Sequence, residues 1–233
     1  MAKSPLGRIQ DHLKQIVYGG NDGIVTTFAI VAGFAGANAD GVAQIGGIAV
    51  ILFGLANLFS DAVSMGLGDF LSSRSQDKMF ARRKRAVVDQ ITADPDVAFE
   101  ELTQHFGLRG LDLPEAQTAA RALMSNSQAA AHALLDSQPG SAASDDHPAL
   151  SGLITFGAFV VFGALPLLPY LIAPDAPSNL RLSVLSTLSA LILLGLMRGL
   201  ATGERLVRSV GETVLVGGIC AAVAFVVGLL VGA

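Results

Sequence analysis

Residues 42–71 read VAQIGGIAVILFGLANLFSDAVSMGLGDFL, an almost uninterrupted apolar stretch in which Asn57, Asp61, Met65 and Asp69 recur every four positions. Four residues turn a helix through about 400°, so such a row drifts only about 40° per step and stays on one side. It covers roughly 18 Å along the axis, more than half of an about 30 Å hydrocarbon core. A carboxylate at such depth costs at least about 2.5 kcal/mol. Groups of this kind face a bundle interior or an aqueous path and are functional candidates by default. A thioether between two carboxylates adds a soft ligand to hard ones, which suits a transition metal better than Mg²⁺ or Ca²⁺. The row therefore points to movement of a divalent metal ion.

The rest of the chain agrees with a membrane setting. Of 233 residues, 52% are hydrophobic and only 15% charged, and the mean hydropathy is +0.56. These values exclude an ordinary soluble domain. Uncharged apolar runs at 23–39, 42–60, 150–172, 182–197 and 213–233 predict five transmembrane helices. The chain holds 26 glycines, many of them within these runs. In lipid, small residues let helices approach closely, within one chain or in a homo-oligomer. Residues 1–22 carry Leu6, Ile9, Leu13, Ile16 and Val17 at helical spacing between polar side chains, as in an amphipathic helix lying at the interface. The lone Cys220 excludes an internal disulfide and reads as a packing residue.

Charge placement orients the spans. With five crossings, Lys3, Arg8 and Lys14, the basic residues between 74 and 121, and Arg198, Arg205 and Arg208 fall on one side. Only Arg181 of the 15 Lys and Arg residues faces the other way. Positive residues near span ends mark the cytoplasmic side. The N-terminus and segment 74–149 are accordingly expected in the cytoplasm and the C-terminus outside. With no cleaved signal and no disulfide set, a bacterial inner membrane is the expected location. The domain plan is an interfacial helix at 1–22, spans one and two within 23–73, a small helical cytoplasmic insert at 74–149, and spans three to five within 150–233. Inside the insert, span two continues as a helix to about Ile91. Asp94-Pro95 starts a second helix ending near Gly107, Pro114 opens a third, and Ser125-Asn126-Ser127 separates it from a last one reaching about Asp136. Residues 138–148 form a linker by composition.

Each candidate has a plainer reading. Asp22 can cap the first apolar helix, Thr26 and Thr27 can bond back to the preceding turn, and Met65 can fill core. Asp69 can sit at the membrane edge beside Ser72, Ser73 and Arg74. Asp61 is hardest to dismiss, since no other charge stands within seven residues of it. Gly66-Leu67-Gly68-Asp69 also matches the G-x-G-D pattern of intramembrane aspartyl proteases, whose chemistry needs two carboxylates sharing a proton. The second Tyr-Asp pair of those enzymes is missing here.

Two longer segments carry a resemblance. Asn21-Asp22-Gly23-Ile24-Val25-Thr26-Thr27-Phe28-Ala29-Ile30-Val31-Ala32-Gly33 resembles the first-span signature of the vacuolar iron transporter family, and Ser64-Met65-Gly66-Leu67-Gly68-Asp69-Phe70-Leu71-Ser72 its second-span signature. Residues 205–228 resemble its last span. The resemblance implies a homodimer that exports Fe²⁺, and often Mn²⁺, from the cytoplasm in exchange for protons, along a path between the protomers. It implies no permanently bound cofactor, and metal ion, protons, lipid bilayer and a second copy as partners, with nothing pointing to nucleic acid. Asp22 matches the first-span carboxylate of that path and Met65 the second-span ligand.

Two departures stand out. Iron-transporting members carry a glutamate at the place of Asn57, and E-x-x-E spacings in the cytoplasmic domain. This chain has Arg82-Arg83-Lys84-Arg85 there and no E-x-x-E anywhere. Asp96 with Glu100, and Glu101 with His105, remain as four-apart pairs able to share a weakly held metal, a pattern that solvated helix faces also produce. The expected metal set is thus Asp22, Asn57, Asp61, Met65 and Asp69, with Asp96, Glu100, Glu101 and His105 as a secondary cytoplasmic set. The alternative reading is a non-transporting membrane scaffold or regulator of the same fold.

Overall fold

The computed structural model describes residues 10–36, 43–136, 147–174 and 176–232, and these are helical apart from short turns. The helices are α1 (Leu13–Gly36), α2 (Ala43–Ala93), α3 (Pro95–Leu108), α4 (Leu113–Met124), α5 (Ser127–Asp136), α6 (Pro148–Ala164), α7 (Leu168–Ile172), α8 (Asn179–Thr202) and α9 (Leu206–Gly232). The chain divides into two compact units, residues 1–70 with 148–233, and residues 71–147. Among the described residues, four helical stretches are long and apolar enough to cross a membrane: Gly46–Ala93, Pro148–Ile172, Asn179–Thr202 and Leu206–Leu230.

The first expected span differs from its prediction. No break separates an interfacial helix from a span at residue 22, because α1 runs unbroken from Leu13 to Gly36. Asp22 lies well inside it and cannot be its cap. The physical reason is packing. A Cβ on Gly19 would stand 2.6 Å from the Thr155 carbonyl, and a Cβ on Gly23 would strike that of Phe159. On the other partner, a Cβ on Gly163 would sit 2.8 Å from the Gly23 carbonyl. Backbone-to-backbone contact with α6 thus holds α1 straight through the polar stretch. Leu6 and Ile9 lie outside the described residues, as does most of the expected linker.

α6 also meets α2 through glycine. A Cβ on Gly66 would lie 2.9 Å from the Gly152 carbonyl, and one on Gly152 would collide with that of Gly66. Around these crossings Phe28, Val31, Leu58, Ala62, Phe159 and Leu167 bury a common core. The third apolar stretch does not stay α-helical. Pro166 and Pro169 remove two backbone donors, and Leu165–Leu167 tightens to a 3₁₀ turn between α6 and α7. Gly203, with φ of 72°, ends α8 in the left-handed conformation and lets the chain turn into α9 within a few residues.

The second unit follows its sequence signals closely. α2 extends to Ala93, and α3, α4 and α5 begin and end within two residues of their expected positions. Pro95 occupies the first turn of α3, although Asp94 makes no side-chain capping bond. Asn126 does cap α5, its Oδ1 accepting from Gln128 N at 3.0 Å and Ala129 N at 3.3 Å. The core here is built largely on alanine: Ala98, Ala120, Ala130 and Ala131 pack with Ile91, Leu102 and Leu134.

Gly66→Ala should cost the roughly 1–3 kcal/mol of an overpacked contact and so lower the thermal midpoint in detergent. Gly68→Ala, where a Cβ meets nothing within 4 Å, should leave it unchanged or slightly raise it; equal midpoints for the two variants would reject the α2–α6 crossing.

Candidate functional site

Three rows of side chains on α2 define the site. Gly54, Leu58, Ala62 and Gly66 are buried, whereas Ala56, Ser60, Ser64 and Gly68 are exposed. Asn57, Asp61, Met65 and Asp69 form the row between them, and all four are half-buried. Successive residues differ by about 100° in azimuth, so the polar row lies at the border between the core and the open face.

Within that row Asn57 Nδ2 donates to Asp61 Oδ2 at 2.7 Å. An ionised carboxylate can only accept, so the amide must turn its nitrogen to Asp61 and leave its carbonyl oxygen available elsewhere. Asp22, half-buried on α1, lies within Coulombic range of Asp61. Asp61 thus has the Asn57 amide as a hydrogen-bond partner and a second carboxylate, on α1, within Coulombic range. Thr26 Oγ1 bonds back to the Asp22 carbonyl at 2.8 Å, the local role that its spacing predicts. Met65 packs against the hydrophobic cluster of α1, α2 and α6. Beside Asn57, a groove of about 850 Å³ opens between α1, α2 and α9, with Asn57 and Ser60 as the polar members of an apolar lining.

Asp69 has a different surrounding. Its Oδ2 accepts from Ser151 Oγ at 2.5 Å and from Thr155 Oγ1 at 2.9 Å. Ser151 Oγ in turn accepts from Gln15 Nε2 at 2.8 Å. The carboxylate of the G-x-G-D pattern therefore pairs with hydroxyls, where an aspartyl protease would need a second carboxylate. Gln15, Ser151 and Thr155 were not singled out from the sequence. The signal available was weak: two hydroxyls four residues apart at the head of an otherwise apolar run.

At the junction of α8 and α9 the charges pair among themselves. Arg198 Nη2 lies 2.6 Å from Glu212 and 3.4 Å from Glu204, and Arg208 Nε lies 3.0 Å from Glu212. Pairs as exposed as these are screened by water and contribute little to stability.

The two four-apart pairs of the secondary set face different pockets. Asp96 and Glu100 line one pocket of the second unit and Glu101 and His105 another. Among the described residues no three His, Cys, Asp or Glu side chains gather as a metal-holding group. His105 is a core residue, 8% exposed. Burial pushes its imidazole below the ordinary value, the Arg109 charge adds to this, and Asp136 partly opposes it. The unfolded chain, titrating near 6.5, then binds the proton more readily than the folded one. Stability should fall as pH drops below about 6.5 and level off beneath the folded value. The unfolding midpoint should be lower at pH 5.5 than at pH 7.5, and His105→Leu should reduce that difference.

Comparison with known proteins fits this geometry. The model of the VIT family matches residues 13–229. The chain is 33% identical to vacuolar iron transporter 1 of Arabidopsis thaliana over 214 residues, covering 91% of this chain and 83% of the relative. It is 32% identical to vacuolar iron transporter 2 of Oryza sativa subsp. japonica, with 91% and 85% covered. A vacuolar iron transporter of Plasmodium falciparum is 29% identical over 231 residues, with 95% and 82% covered. The matched region includes α1, with Asp22, and the whole polar row of α2. With several helices long and apolar enough to cross a bilayer, this is a multi-pass membrane protein and not an enzyme, and the chain belongs to the VIT family.

Proposed function

We propose that the protein is a proton-coupled exporter of a divalent transition metal, Fe²⁺ or Mn²⁺, from the cytoplasm. The observation that carries this reading is that Asp22 of α1 comes within Coulombic reach of Asp61 on α2, where Asp61 accepts from the Asn57 amide. Two carboxylates in a poorly solvated setting repel each other when both are ionised. Either a proton or a divalent cation relieves that repulsion, so the two compete for one place, which is the requirement of antiport. Asn57 supplies a neutral oxygen and Met65 a soft sulfur that favours transition metals over Mg²⁺ and Ca²⁺. The names of the relatives, vacuolar iron transporters, support iron as the cargo.

Five crossings support the direction. α1 is long enough to span, at 24 residues, and packs against α6, α8 and α9, so its polar side chains can face protein instead of lipid. Five spans place 14 of the 15 Lys and Arg residues on one side, the cytoplasmic one. The exposed row Ala56, Ser60, Ser64 and Gly68 offers a second copy a close approach beside the carboxylates, as a homodimeric path requires. In the second unit, Arg82, Arg83 and Arg85 are exposed and suited to anionic lipid headgroups.

In proteoliposomes with a pH gradient, the wild type should move Fe²⁺ or Mn²⁺ together with counter-flowing protons, tested beside Co²⁺ and Zn²⁺, and Asp22→Asn should abolish both fluxes. Metal-independent proton leak, or no flux at all, would favour the scaffold reading. Asp61→Asn should lower metal flux roughly a hundredfold, as expected for removing one of two half-buried carboxylates that share a cation. Asn57→Ala should cost only about three- to tenfold. The reverse ranking would show that the amide, and not Asp61, holds the cation.

A further inference from the structure

The hydroxyl bonds to Asp69 come from α6, beside the glycine contact between the two helices. Ser151 and Thr155 are each 1% exposed, and both donate to one oxygen, Oδ2. Gln15 of α1 reaches the same cluster through Ser151. α6 thus bonds the carboxylate directly, and α1 supports it through Ser151. A turn before Asp69, Gly66 meets the backbone of Gly152, the residue next to Ser151. Both hydroxyls hold Oδ2, so the carboxylate is anchored to α6 through that oxygen.

Asp61 stands eight residues before Asp69, about 12 Å along a continuous helix and about 80° away in azimuth. An α-helix of this length is stiff in torsion, because each turn is bonded to the next. Rotation set at Asp69 is thus carried to Asp61 and Asn57. Because these lie at the border between core and open face, a modest rotation would sink them into the core or turn them out to lipid.

We propose that Asp69, Ser151, Thr155 and Gln15 form a positioning clamp that fixes the rotation of α2 against α6 and α1, and so presents Asp61 and Asn57 to the transported cation. Asp69 serves in it as a hydrogen-bond acceptor and not as a ligand of the metal. The flux consequence rests on the transport reading above; the clamp itself does not.

The test turns on Asp69→Asn. Its amide oxygen retains two lone pairs for the two hydroxyls, while the charge is lost. A clamp predicts that Asp69→Asn keeps the maximal Fe²⁺ or Mn²⁺ flux and the half-saturating ion concentration within about twofold of wild type. Asp69→Ala and the double variant Ser151→Ala/Thr155→Val should each lose about tenfold in maximal flux. A ligand at this position predicts the opposite: Asp69→Asn as impaired as Asp69→Ala, with a raised half-saturating concentration, and the hydroxyl double variant like wild type. Either of those results overturns the clamp.

A second measurement needs no transport. Spin labels at Ser64→Cys and Val161→Cys, in a Cys220→Ser background, report the α2–α6 distance in metal-free protein. The distribution should be narrow in wild type and Asp69→Asn and broader in the double variant; an unchanged distribution in the double variant overturns the clamp. Should wild type move no metal while the labels behave as described, the transport reading fails and the clamp stands. The Asp69→Asn arm remains decisive even where Asp69→Ala does not fold.

Discussion

Contact between helix backbones at glycine is the constraint on which the membrane unit depends. Lipid tails are as apolar as the side chains that meet them, so burying leucine against leucine offers little driving force. What remains is close van der Waals contact and polar bonds between helices. Gly19, Gly23 and Gly163 provide the contact between α1 and α6, and Gly66 with Gly152 that between α2 and α6. α6 is consequently the common support for the two helices that carry the carboxylates. Gly36 and Gly228 make a similar approach between α1 and α9. The polar side chains of α1 can then lie in a largely apolar bundle because protein, not lipid, surrounds much of that helix.

The same contacts separate two kinds of acidic residue. Asp61 has the Asn57 amide as its partner and the Asp22 carboxylate within Coulombic reach. Asp69 sits where two helices touch, and hydroxyls close around it. Residues spaced every four along one helix thus differ in chemistry because the neighbouring helix approaches α2 at one level and leaves a groove at another. The second unit shows the contrasting regime. Its alanine-rich core needs only short helices, and its acidic residues are distributed over separate surfaces, as on any solvated bundle.

Much of the fold was legible in the chain. Apolar runs located the long helices, and Pro95, Pro114 and Asn126 marked the helix starts of the second unit to within two residues. These are local effects of propensity, capping and backbone chemistry, so they require no partner. The extent of α1 was not legible. Asn21-Asp22-Gly23 reads locally as a helix start, yet contact with α6 overrides that signal. Asp22 and Asp61 were legible as candidates, because a charge in an apolar run carries its cost wherever the helix packs.

By itself, then, the sequence determined that this is an all-helical membrane protein, where its long helices run, and which side chains are too costly in lipid to be incidental. Only the tertiary structure decided that Asp22 of α1 comes within Coulombic reach of Asp61, and that Asp69 is tied to Ser151 and Thr155 more than eighty residues away. Helical periodicity specifies the face on which a residue lies. What that face meets depends on which glycines allow another backbone to come near, and that is a property of pairs of helices distant in the chain.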